Sequence, residues 1–266
     1  AGANATTGSQ NLAIGYQAIN AGILTGTENV AIGREAGNDL TSGIRNSFIG
    51  YGAGANATTA DYIIAIGSQA IGLGVTTGDY NIALGRQAGY DLTSGTHNNF
   101  MGFQAGYNVT TGTGNVFSGY QTGENATTAN FGISIGYSTI GVGVMTGTDN
   151  TAIGRQAGND LTSGEYNNFM GYQAGYNATT GDSNIAIGRE AIGLGVLTGT
   201  NNVVLGYQAG YDLTSGDHNI LSGFQAGSNV TTGTGNIFQG NEAGEFATTA
   251  SYGIAIGYEA IGLGIM

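Results

Sequence analysis

The chain has 266 residues, 52 of them glycine, with no proline, cysteine or tryptophan, and its five basic residues are all arginines. Glycine at this level without a G-X-Y period or proline excludes collagen. A net charge of −12 with scattered arginines argues against a nucleic-acid partner, and the lack of cysteine removes disulfides, thiolate metal sites and thiol nucleophiles. Glycine also interrupts every apolar run before it reaches the roughly 18 residues that cross a bilayer, so no membrane insertion is expected.

From the N-terminus onward the motif Asn-x-Ala/Phe-Ile-Gly recurs. Units open at Asn11, Asn29, Asn46, Ile63, Asn81, Asn98 and Asn115. They continue from Gly132 through Asn150, Asn167, Asn184, Asn202, Asn219 and Asn236 to Gly253, always 17 or 18 residues apart. The 18-residue units carry Ala-Ile-Gly-Leu-Gly or a variant, as at Ala70–Gly74 and Ala191–Gly195, so one residue is inserted at one corner. These longer units are spaced alternately by 52 and 69 residues, which makes a super-repeat of 121 residues. Neither end coincides with a unit boundary or carries a cap, although solenoids need caps to stay soluble alone. The expectation is a single continuous repeat domain over 1–266 that is a segment of something longer.

A unit of this length is too short for a helical pair, and its Asn, Gly and β-branched residues disfavour helix. The fold class expected is all-β: a parallel β-solenoid, or β-roll, of about 15 coils of 17–18 residues. Each coil should hold two or three short strands joined by Gly/Asn corners. Alternation along the strand is read as placing position two (Val30, Ile64, Ile82, Val116, Ile185, Ile237) and position four (Ile32, Ile66, Leu84, Met101, Ile187) inside the coil. They would lie with Ala at position eight and Leu, Val or Ala at position twelve. Position three then points outward and is apolar too, so Phe48, Phe100, Phe117, Phe169, Val204 and Phe238 are assigned to an oligomer interface. Identical chains about a common axis, most simply a trimer, would cover that stripe.

Asn29-Val-Ala-Ile-Gly33, Asn81-Ile-Ala-Leu-Gly85 and Asn184-Ile-Ala-Ile-Gly188 resemble the head repeats of trimeric autotransporter adhesins. The Gln-Ala-Gly and Thr-Thr-Gly or Thr-Ser-Gly segments are also similar to repeats of phage tail fibres. The resemblance covers the whole chain and implies a left-handed β-roll assembled as a homotrimer. It departs in period, because adhesin head repeats are shorter than these.

Candidate chemistry is sparse. His97 and His218 are the only histidines and sit at equivalent corners, with no second histidine in either coil to complete a metal site. Asp39, Asp91, Asp160 and Asp212 share column eleven with Asn56, Asn108, Asn125, Asn177 and Asn229. An Asn/Asp turn ladder accounts for that column better than Ca2+, which is the one cofactor left open. Arg34, Arg86 and Arg155 precede Asp39, Asp91 and Asp160 by five residues, a spacing read as surface pairing. The Asn-x-Thr sequons follow from the repeat and need no glycan to explain them. No acid/base pair and no nucleophile emerges, so an enzyme is not expected.

Two columns remain as binding faces. Column six is rich in Tyr (Tyr16, Tyr51, Tyr120, Tyr137, Tyr172, Tyr207, Tyr258) with Gln alongside, a setting for glycans. The Thr column (Thr41, Thr58, Thr93, Thr110, Thr162, Thr179, Thr214, Thr231) forms a flat hydroxyl/methyl ladder that would suit glycan or ice. The reading these features favour is a structural and adhesive fibre segment, extracellular, on a cell surface or on a virion. Its partners would be copies of itself and a host-surface glycan or receptor. The alternatives are a ligand-binding solenoid and a subunit of an end-to-end filament.

Overall fold

The structure is a computed structural model that describes residues 7–20 and 23–261, and these form an all-β fold with no helix among them. The chain divides into two units, Ala1–Phe131 and Gly132–Met266. The strands of the first are β1 (Leu12–Ile14), β2 (Val30–Ile32), β3 (Ser47–Ile49), β4 (Ile64–Ile66), β5 (Ile82–Leu84), β6 (Asn99–Met101) and β7 (Val116–Tyr120). Those of the second are β8 (Ile133–Tyr137), β9 (Thr151–Ile153), β10 (Asn168–Met170), β11 (Ile185–Ile187), β12 (Val203–Leu205), β13 (Ile220–Ser222), β14 (Ile237–Gln239) and β15 (Ile254–Ile256). Within each unit every strand pairs in parallel with its sequence neighbour. Like positions meet, as in Ile64↔Ile82 and Ile66↔Leu84 in the first unit or Ile185↔Val203 and Ile187↔Leu205 in the second. Each unit is therefore a parallel β-solenoid.

Each coil contains one short strand rather than two or three. The cause is a set of left-handed residues that no extended run survives. In the coil opening at Asn81, Gln87 (φ 56°), Gly89 (φ 58°) and His97 (φ 58°) all turn the chain. The column just before the opening Asn is left-handed even without glycine: Glu28, Arg45, Tyr62, Tyr80 and His97 have φ between 57° and 61°. Ordinary residues adopt this region at a cost, which the coil-to-coil ladder offsets. Gln87 N donates to Ser68 O of the coil before (3.0 Å), and Gly89 N to Ala105 O of the coil after (2.9 Å). Position five is different, because there the backbone needs glycine outright. Gly154 has φ 131°, and a Cβ on it would lie 2.5 Å from the carbonyl oxygen of Gly171.

The strand faces are reversed from the sequence expectation. Position three is the interior position: Phe48, Phe100, Phe117, Phe169, Val204 and Phe238 are fully buried within their own chain. They cannot form an oligomer contact. Positions two and four face outward, as the exposed Ile64, Ile66 and Ile187 show. The parity is set by residues that the aliphatic pattern overshadowed. Asn at position one and Gly at position five share a face with position three, and the Asn side chains are buried as well.

Two packing rules explain the core. First, position three is large only where position nine is glycine. A Cβ on Gly106, in the same coil as Phe100, would lie 2.7 Å from the Phe100 ring, and one on Gly89 of the coil before would lie 2.8 Å from it. Where position nine is Ile, as at Ile71, Ile140 and Ile192, position three shrinks to Ala65, Ser134 and Ala186, and all six are buried. One side chain fills the volume the other vacates. Second, the opening Asn residues form a buried ladder. Asn98 Nδ2 donates to Gly112 O (2.7 Å) and to Asn81 Oδ1 (3.0 Å), and Asn98 Oδ1 accepts from Asn115 N (3.0 Å). The same bonds recur at Asn167 in the second unit. Alanine at column eight and Leu or Val at column twelve complete the interior, as at Ala105, Leu92 and Val109.

Candidate functional site

Three surface columns carry the chemistry. The first is the outer strand face. In the first unit it runs through Leu12, Ile14, Ile49, Ile64 and Ile66, and in the second through Ile133, Ile135, Met170, Ile187, Ile220 and Ile237. Branched aliphatic side chains stand in register on most of these strands, interrupted by Asn99, Ser118, Asn168, Ser222 and Gln239, and nothing among the described residues covers them. This is the apolar second face that the sequence reading sought at position three. The aliphatic pattern alone assigns these residues to the core, because two rows of Ile and Val look like core.

The second is column six, which follows the position-five glycine. Its side chains stack from coil to coil. In the first unit Arg34 lies between Tyr16 and Tyr51, its guanidinium carbon 6.0 and 5.5 Å from their centroids. Phe103 stacks on Tyr120 at 5.0 Å. In the second unit the order is Tyr137, Arg155, Tyr172, Arg189, Tyr207, Phe224. Arg155 lies 5.8 Å from Tyr137 and 5.6 Å from Tyr172, and Arg189 lies 5.6 Å from Tyr172 and 5.5 Å from Tyr207. Tyr207 stacks on Phe224 at 5.2 Å. Cation–π contacts at exposed sites are each worth about 0.5–1 kcal/mol. A shallow cleft of about 350 Å3, largely open to solvent, lies here and is lined by Arg155, Tyr172 and Arg189. Beside it runs an amide ladder at column seven, where Gln173 Nε2 donates to Gln156 Oε1 (3.2 Å) and Gln208 Nε2 to Glu190 Oε2 (2.7 Å).

The arginines do not pair as their spacing suggested. Arg34 and Arg189 pair with the adjacent Glu35 and Glu190, each at 3.1 Å, and Arg45 pairs with Glu28 at 2.8 Å. The hydrogen bond that Arg189 donates to Glu190 raises its pKa above the ordinary value. Asp39 and Asp160 instead accept from Asn38 and Asn159, at 2.8 and 2.9 Å. Arg155 has no ion pair among the described residues.

The third column is Thr. Its hydroxyls are half-buried and committed. Thr41, Thr93, Thr162, Thr214 and Thr231 each donate to the carbonyl of the next coil at 3.0 Å, and Thr110 does so at 3.1 Å. The outward member of each pair is the second, such as Ser94, Thr111 and Thr180. Thr58 and Thr179 occupy the same half-buried setting, so the donors of this column are largely spent on the fold. The sequon amides are engaged similarly: Asn56 Nδ2 donates to Gly72 O and Leu73 O (both 2.9 Å), and Asn108 Nδ2 to Asn125 Oδ1 (2.6 Å).

His97 is stacked on Tyr80 at 4.9 Å, and Tyr80 on Tyr62 at the same distance, so this corner residue continues an aromatic column. His218 is exposed at the equivalent corner. Among the described residues no group of three His, Cys, Asp or Glu converges to hold a metal ion, and no helix is long and apolar enough to cross a membrane. Comparison with protein-family models, curated proteins and solved structures gave no match. The two surfaces with unspent interaction capacity are thus the outer strand face and column six.

Proposed function

We propose that the chain is a segment of an extracellular or virion-borne fibre, a stiff repeat shaft built from identical chains, a homotrimer, that presents a binding tip. The observation that carries this reading is the outer strand face, where Ile64 and Ile66, or Ile185 and Ile187, repeat in register on consecutive strands. A flat ladder of aliphatic side chains with a strand spacing of about 4.8 Å is matched best by a surface with the same spacing, which means another copy of this chain. Closed rotational symmetry brings like faces together about one axis. The resemblance to trimeric adhesin heads and phage tail-fibre repeats supports the same arrangement.

Solution mass tests the proposal. Light scattering behind size-exclusion chromatography should give about three times the 26.7 kDa of one chain. The pair of substitutions Ile66→Asp and Ile187→Asp should yield folded monomers with an unchanged far-ultraviolet circular dichroism spectrum. A wild-type monomer sinks the assembly. A dimer moves it to twofold symmetry, and very large species point to end-to-end filaments.

A further inference from the structure

Column six of the second unit holds arginines in a form suited to recognition. Arg155 sits between the rings of Tyr137 and Tyr172, and Arg189 between those of Tyr172 and Tyr207, each guanidinium carbon 5.5 to 5.8 Å from the centroids. Both residues remain exposed, with the Arg189 side chain 60% accessible. A stacked guanidinium keeps its N–H edge free, and its planar fork suits the two oxygens of a carboxylate or sulfate. Because neighbouring rings already restrain it, less side-chain freedom is lost on binding. The two arginines belong to coils two apart, about 10 Å along the stack, with the cleft over Tyr172 between them.

We propose that this cleft binds a linear acidic polysaccharide, with one acid group on each of Arg155 and Arg189 and the intervening sugar over the Tyr172 edge. An extended chain of alternating uronic acid and neutral sugars presents its carboxylates on every second sugar, and each sugar advances about as far as one coil. The Gln156–Gln173 amide ladder lies alongside to meet hydroxyl groups. Arg155, which has no carboxylate partner among the described residues, is the stronger contact. Arg189 shares its charge with Glu190 through Nε, leaving its terminal nitrogens for ligand. Nucleic acid fits less well. The aromatic faces on which bases would stack are taken by neighbours, and a chain of net charge −12 repels a dense polyanion more than one charged at alternate sugars. The inference deepens the adhesive part of the fibre reading and rests on it only for that role.

The test is calorimetric titration with an oligosaccharide of alternating uronic acid and N-acetylhexosamine, long enough to span both arginines. Parallel titrations use a neutral oligosaccharide of equal length, inorganic sulfate, and single-stranded DNA. Arg155→Tyr and Arg189→Phe remove the charges while keeping the stack, since Tyr and Phe occupy this column elsewhere. Binding of the acidic oligosaccharide should weaken about tenfold in each variant and vanish in the double variant, at unchanged melting temperature. Added salt should weaken it in the wild type. No heat with the acidic oligosaccharide overturns the proposal, as does equal binding by the double variant or by the neutral oligosaccharide. Sulfate binding as tightly, or DNA binding more tightly, overturns the ligand class. Chain mass is recorded in the same samples. A monomer that binds sinks only the assembly, and a trimer that does not bind sinks only this site.

Discussion

Phe100 and Gly106 show how single residues hold this core. The Phe100 ring occupies space that a side chain on Gly106 would enter, while coils with Ile at position nine carry Ala or Ser at position three, as Ile71 and Ala65 do. Phe100→Ala should leave a cavity and cost about 3–5 kcal/mol. Gly106→Ile should overpack the same space and cost about 1–3 kcal/mol or more. The double substitution should recover only part of that sum, since the new side chain at Gly106 still meets Phe117 of the next coil as one on Gly89 would meet Phe100, and a double-mutant cycle by urea unfolding would measure the coupling. Ile71 is left-handed with φ 47°, so the backbone accepts this residue at column nine. Both partners of the exchange are written in the sequence, yet the rule becomes visible only when position three is turned inward. The same holds for the Asn ladder. Asn29, Asn46 and Asn81 mark the repeat period, but asparagine is usually a surface or turn residue, and its burial here depends on a bond that closes its own coil and on bonds along the ladder to the Asn of the next coil.

A coil is the element of this protein, and its hydrogen bonds reach mostly to the coil on either side. Excising one whole 17-residue coil, Asn98–Gly114, joins His97 to Asn115 and restores every column. Gly89 then faces Phe117, as it now faces Phe100. The shortened chain should keep the parent circular dichroism spectrum and melt cooperatively, with stability lower by about one coil's share. Excising residues 98–106 alone leaves the columns out of phase and should abolish the cooperative transition. Period, parallel pairing and coil length were readable from the spacing of Asn and Gly. The number of strands per coil was not, because ordinary residues such as Tyr62 and His97 adopt left-handed conformations that no propensity signals. Arg155, Tyr172 and Arg189 were legible as members of one column. Their alternation as a stack required knowing that column six stays in register across coils.

For the whole molecule, acidity and burial act together on stability. Burial raises the pKa of Asp91 and Glu124 in the first unit and of Asp212 and Glu245 in the second, with Glu242 and Glu259 adding to the shift of Glu245. A carboxyl group whose pKa is raised on folding binds its proton more tightly in the native state. Its contribution is fully present below the ordinary carboxylate range and is lost as pH rises through the native value. The net charge of −12 repels itself most in the same high-pH direction. The melting temperature should therefore rise on acidification from neutrality to about pH 5, measured by scanning calorimetry. Asp91→Asn should raise it at neutral pH and flatten the profile, since Asp91 Oδ1 is buried without a hydrogen-bond partner. A melting temperature that falls over this interval would contradict the assignment.

The brevity of the strands has a further consequence, for digestion. A protease must draw several consecutive residues into its cleft as an extended segment, and it finds them by local opening of the substrate. Most strands in this chain are three residues long, and they are bounded by a glycine at φ near 135° and by left-handed turns. Peeling out one coil breaks the ladders on both of its sides, so opening costs the most in the middle of each unit. With five arginines and no lysine, trypsin-like enzymes have few bonds to attack, and all five arginines lie against aromatic rings. Slow cleavage by digestive enzymes is therefore the expected outcome of the same conformation that sets the coil.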